Sequence, residues 1–134
     1  MKLSIASWYL VLVLVQAAHS LEEYFGQLWE VFPPAIWLTG LISEDRHMAF
    51  VIINIGLFVF GIFSWFFFVR KDHEFAAFLI WFWVVLELIN GVIHTGWSIM
   101  QAQYTPGVIT APILFIVAFY LMRNYLNKKA ITTS

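Results

Sequence analysis

Phe75–Met100 reads FAAFLIWFWVVLELINGVIHTGWSIM, and Glu87 is the only charge in the stretch. As a helix rising 1.5 Å per residue it extends about 39 Å, enough to cross a hydrocarbon core of ~30 Å with some tilt. Its polar residues are not scattered. Glu87, Asn90, His94, Trp97 and Gln101 follow one another at steps of three, four, three and four. That spacing is a seam turned towards partner helices. Lipid cannot satisfy such a stripe, so it faces the interior of a bundle. An ionisable group at this depth costs about 2.5–3.5 kcal/mol on insertion scales, and Glu87, midway along, is the costliest of the set.

The rest of the chain supplies the partners. Met48–Val69 is a second apolar run, interrupted by Asn54 and Ser64. Pro106–Met122 is shorter, opens with Pro-Gly and contains Pro112. Leu3–Ala18 is a fourth, with Lys2 in front. The pattern predicts an all-α protein, an integral membrane bundle of four transmembrane helices near 3–20, 48–69, 75–100 and 106–126, in a single domain over 1–134. Composition agrees. Of 134 residues, 62% are hydrophobic, 19% aromatic and only 11% charged, against about 25% charged in a soluble domain. This excludes a soluble domain and a disordered chain. A net charge of −1 leaves no basic patch for nucleic acid. The absence of cysteine excludes disulfides and thiolate zinc sites. The first segment has a competing reading: Val15-Gln16-Ala17 fits a signal-peptide cleavage pattern, and a chain starting at Ala18 would keep three helices.

Basic residues in short loops orient a membrane protein. With both termini cytoplasmic, Lys2, Arg70, Lys71, Arg123, Lys128 and Lys129 lie inside and only Arg46 outside. Glu22, Glu23, Glu30, Glu44 and Asp45 then gather on the outer side. The connection from Leu21 to Arg46 is aromatic and amphipathic up to Pro33-Pro34, which ends a helix. We expect Leu21–Phe32 to continue the first helix into the interface, and Ala35–Ile42, too short to span, to be interfacial or re-entrant.

On the first helix Gln16, His19, Glu23, Gln27 and Glu30 fall within an arc of about 80°, and Glu22 sits three residues after His19. His19, His94 and His47, with Tyr104, Pro106-Gly107 and Thr110, therefore converge on one membrane face, while His73 belongs to a solvated loop. Histidine and carboxylate at i, i+3 or i, i+4 share a helix face, as in metal-binding helical bundles. His19, Glu22, Glu23 and His94 are the candidate ligands of a divalent metal. Two imidazoles with carboxylates suit zinc, iron or manganese better than calcium or magnesium. Glu22 or Glu23 as general base, Glu87 and Tyr104 are the candidate catalytic groups; Asn90, His47 and Thr110 are candidate supporting residues. Glu87, two turns from His94, lies too far along the axis to share its metal ion.

Three motifs then stand in order: His19-Ser20-Leu21-Glu22-Glu23, Asn90-Gly91-Val92-Ile93-His94, and Tyr104-Thr105-Pro106-Gly107-Val108-Ile109-Thr110. In a chain of this size and hydropathy the ordered set resembles the HXXEE-domain family of small bacterial and archaeal membrane proteins. The resemblance covers nearly the whole chain and implies a prokaryotic inner membrane and a site at these residues, without implying a reaction. Three functions compete. The first is a metal-dependent membrane hydrolase or oxidase acting on an apolar or lipid-like substrate that enters from the bilayer. The second is a proton, ion or solute transporter, which with four spans would work as a homo-oligomer. The third is a structural accessory subunit whose polar residues hold helices together. Clustering at one face, with no buried acid in the inner half, favours the first.

Overall fold

A computed structural model describes residues 3–132. Lys2 and Ser134 lie outside them. Among the described residues the structure is all-helical: α1 (Ile5–Phe25), α2 (Leu28–Val31), α3 (Pro33–Gly40), α4 (Arg46–Ser64) running into a π-helical turn (Trp65–Val69), α5 (Ala76–Gln101) and α6 (Ala111–Thr132). Three helical stretches are long and apolar enough to cross a membrane: Ile5–Phe25, Arg46–Val69 and Ala76–Gln101. α6 is long as well, but its C-terminal half carries Arg123, Lys128 and Lys129.

Local chemistry explains the boundaries. Ser4 caps α1, its hydroxyl accepting from the Ser7 N–H at 3.1 Å, and Asp45 caps α4 by accepting from Met48 N–H at 3.0 Å. Each cap satisfies an N–H that the helix start leaves open. α1 extends to Phe25, past the expected 20, but does not continue to Phe32. It breaks at Gly26-Gln27, where Gln27 takes a left-handed conformation with φ 51°. Pro106 presses on this break: a Cβ on Gly26 would lie 2.5 Å from two Pro106 side-chain atoms. Gln27 and Glu30 consequently leave the α1 face on which periodicity placed them. Pro33-Pro34 does more than stop a helix. It opens α3, since proline at the first helical positions lacks only a donor that has no partner there. α6 begins at Ala111 rather than near residue 106, because 105–110 form the turn that closes over the end of α1.

α6 packs along both α5 and α1, and α1 packs along α4. The core lies away from the histidine end. Tyr9, Leu12 and Val13 of α1 meet Leu79, Ile80, Trp83 and Val84 of α5 and Leu114, Ala118 and Leu121 of α6. Tyr9 and Trp83 meet edge to face at 6.4 Å. A smaller cluster at the histidine end joins Leu28 and Trp29 of α2 to Phe50 of α4, with Phe32 and Trp97 against it.

Candidate metal centre

Helical periodicity puts His19 and Glu23 on one face of α1, and their Nε2 and Oε1 atoms are 3.1 Å apart. α5 brings His94 to the same carboxylate oxygen, Nε2 to Oε1 3.0 Å. The two imidazoles stand edge to face with centroids 4.9 Å apart. All three residues are buried, at 0%, 6% and 2% exposure for His19, Glu23 and His94. One ligand atom from each lies within 4.8 Å of the others.

The far sides of the rings decide what these atoms can be. His94 Nδ1 is 2.9 Å from the Pro106 carbonyl oxygen, which can only accept, so Nδ1 carries the proton. His19 Nδ1 is 2.7 Å from Thr110 Oγ1. That hydroxyl donates its one proton to Glu22 Oε2 at 2.5 Å, so it accepts from His19, and His19 Nδ1 is the protonated nitrogen too. With Nδ1 committed outward, each ring turns its Nε2 towards the Glu23 carboxylate, and in the neutral form of a ring that Nε2 is a lone pair. With both rings neutral, three acceptors converge there with no donor between them, and the contact of His19 Nε2 with Glu23 Oε1 is then not a hydrogen bond. This is the arrangement of metal-ligating histidines, whose second nitrogen is fixed by an outer acceptor.

Glu22, expected as a ligand, is not brought into the group. Its carboxylate accepts from the Ile109 and Thr110 N–H groups at 3.0 and 2.9 Å, from the Thr110 hydroxyl, and from the Tyr104 hydroxyl at 3.1 Å. It fastens the 104–110 connection to α1 and orients Thr110 against His19. Burial, and then the adjacent carboxylate, push the Tyr104 hydroxyl above the usual phenol range, so it stays a donor to Glu22. Tyr104 and Thr110 thus stand around Glu22. Gly107 seats the same turn on the rings. Its φ is +92°, and a Cβ there would fall 2.7 Å from His94 Nδ1 and 2.8 Å from His19 Cε1.

Glu87 is fully buried and separate from the group. Asn90 Nδ2 donates to it at 3.3 Å. With its amide nitrogen facing the carboxylate, Gln16 donates to both Glu87 oxygens at 3.1 and 2.9 Å, and its own oxygen comes within 3.2 Å of Ser20 Oγ. Ser20 Oγ also donates to Asn54 at 2.6 Å, and Asn54 donates to the Phe50 carbonyl at 3.0 Å. A polar ladder thereby ties α5, α1 and α4 together. His47 stands apart from the other two histidines, with Nε2 3.2 Å from the Tyr24 hydroxyl and its ring against Trp29.

Sequence reasoning missed the Pro106 carbonyl, because a backbone acceptor has no residue type to signal it. It also missed Phe32, whose ring lies 5.5 Å from that of His94 and 4.5 Å from that of Trp97. The aromatic run ahead of Pro33-Pro34 was the available signal.

No curated protein and no solved structure matches the chain. A family described as "Protein of unknown function with HXXEE motif" matches residues 10–121, from the middle of α1 to the middle of α6. That span contains His19, Glu23 and His94 and the residues that brace them, and the chain belongs to the HXXEE family.

Proposed function

We propose that the chain is a four-span protein of a prokaryotic inner membrane. In this reading His19, Glu23 and His94 hold one divalent metal, and the centre performs hydrolysis or oxidation on an apolar or lipid-like substrate. The observation that carries it is the convergence of two buried Nε2 atoms and a carboxylate, with both Nδ1 atoms committed elsewhere. Two histidines and one carboxylate leave coordination positions open, as in catalytic zinc sites and in the facial triad of non-haem iron enzymes. Manganese is the third candidate. The metal would supply Lewis acidity, or redox chemistry if it is iron. The chain's own residues orient the ligands and exclude water: Glu22, Thr110 and the Pro106 carbonyl hold the rings, and Phe32 covers His94.

The fourth span in this reading is α6 with the turn before it, and the bilayer is the main partner. Both termini are cytoplasmic. Arg70 and Lys128 support that orientation, since they line one cleft with Leu3–Ala6 and Tyr125, at the end opposite His19 and His94. Transport is less well supported, because Tyr9, Leu12, Trp83, Val84, Leu114 and Leu121 close the bundle below the polar ladder.

Elemental analysis of gently purified protein tests the reading, with His19→Ala, His94→Ala and the double variant alongside. We expect about one metal ion per chain in the parent and none in any variant. The double variant should be no worse than either single one, because losing one ligand already empties the site. Metal-free parent protein that ignores added zinc, iron and manganese would refute it.

A further inference from the structure

Phe60 of α4 stacks on Trp83 of α5. α5 packs against the π-helical turn beyond α4. The space between the two helices is a cavity of about 300 Å³. Its sides are apolar: Ile53 and Leu57 from α4, Ile89 and Ile93 from α5. Leu38 of α3 covers one end. Glu23 and His94 of the centre reach it, with Glu87 and Asn90 beside them, and Gln16, Thr39 and Asn54 complete its polar lining. Ile89 and Ile93 are half exposed, so the mouth lies on the lipid-facing surface of the bundle.

Two properties select the occupant. The first is charge. Two carboxylates, Glu23 and Glu87, line the cavity, and among the described residues no lysine or arginine does. Arg46, the one basic residue near this end, sits 3.9 Å from Glu30. Phosphate, sulfate and carboxylate heads find no cationic side chain here. The second is size. Pockets for small ligands run from about 300 to 1,000 Å³, and this one is at the bottom of the range. It fits one chain rather than the two of a glycerophospholipid.

We infer that the cleft between α4 and α5 is a lateral entry site for a single-chain amphiphile with an uncharged polar head, such as a long-chain alcohol, which lies with its head at Glu23, His94 and Asn90 and its chain between Ile53 and Ile89. This rests on the metal-centre reading for the chemistry done there, but the binding itself does not require the metal. A neutral head can accept from Asn90 Nδ2 or donate to the Glu87 carboxylate without adding a charge to a site that water does not screen.

The test is photo-crosslinking of the whole chain in lipid nanodiscs with hexadecanol carrying a diazirine near its hydroxyl end. Adducts are mapped by peptide mass, and metal per chain is measured on the same preparation. We expect the adduct on α4 and α5 residues of the cleft. Excess unlabelled hexadecanol should reduce it at least fivefold, and hexadecyl sulfate should leave it unchanged. Ile53→Trp and Ile89→Trp, which fill the cleft outside the core, should also lower it fivefold or more while metal content and melting stay as in the parent. Adducts spread over all lipid-facing helices, or equal competition by the sulfate, would overturn the inference. If the tryptophan variants misfold, competition on the parent protein still decides. Cleft labelling of metal-free protein would sink the metal centre and keep the cleft; bound metal without cleft labelling would do the reverse.

Discussion

Glu22 and Glu23 are neighbours in sequence with opposite tasks. Glu23 faces the two imidazoles; Glu22, turned about 100° around the helix, receives donors from the connection before α6. Their substitutions should therefore separate. Glu23→Gln removes a ligand and should abolish metal binding. Glu22→Gln keeps all three ligands and loosens the support of His19, so affinity should fall by about 10–100-fold at unchanged stoichiometry, the usual effect of losing an outer-shell partner. Metal titration followed by calorimetry distinguishes the two; equal losses would mean that Glu22 is itself a ligand. Gly107→Ala should be severe for its size. The new methyl meets both rings, and a non-glycine residue at φ +92° adds strain of about 1–3 kcal/mol. A lower melting temperature together with lost metal is the expected outcome.

The α1 helix and the polar ladder belong to the scale of elements. Gln16 and Ser20 lie one turn apart on α1 and join Glu87 of α5 to Asn54 of α4. Interhelical hydrogen bonds of this kind contribute about 0.6 kcal/mol each inside a membrane bundle. Ser20→Ala should lower unfolding stability in detergent by about that much and leave metal content unchanged. A large loss of metal instead would make the ladder part of the centre. The break at Gly26-Gln27 has a different role. It frees α2 and α3 to fold back over α4, so that Phe32 reaches His94 and Trp97. A straight extension of α1 would have left the cleft uncovered.

For the whole molecule, the proposed orientation puts the metal centre near the outer face. A cysteine introduced at Glu44 should react with an impermeant thiol reagent in intact cells, and one at Ser134 should not. Equal labelling at both positions would reverse the topology, and with it the side from which substrate arrives. N-terminal sequencing of the purified protein separates the four-span chain from one cleaved before Ala18. Metal binding should also weaken on acidification, because imidazole must be unprotonated to act as a ligand. The direction follows from proton–metal competition at His19 and His94: affinity is highest where both rings are neutral and falls as either takes a proton. Metal content measured across pH, in the same detergent, checks it.

The apolar runs, the all-helical class and the pairing of His19 with Glu23 were legible in the chain itself, because hydropathy and a 3.6-residue period are local properties. The stripe on α5 announced His94 in the same way, since lipid leaves a polar seam nowhere to go but inwards. Packing alone decided the rest. Two adjacent glutamates both meet the period to within a fraction of a turn, and only the approach of the 104–110 connection determines which one faces the imidazoles. The proton on His94 is held at Nδ1 by the Pro106 carbonyl, a contact across twelve residues that no side-chain pattern announces. The end of α1 is set by Pro106 lying against Gly26, two residues eighty positions apart. Contacts of that kind depend on where helices cross, and a one-dimensional pattern carries the face of each helix but not its neighbour.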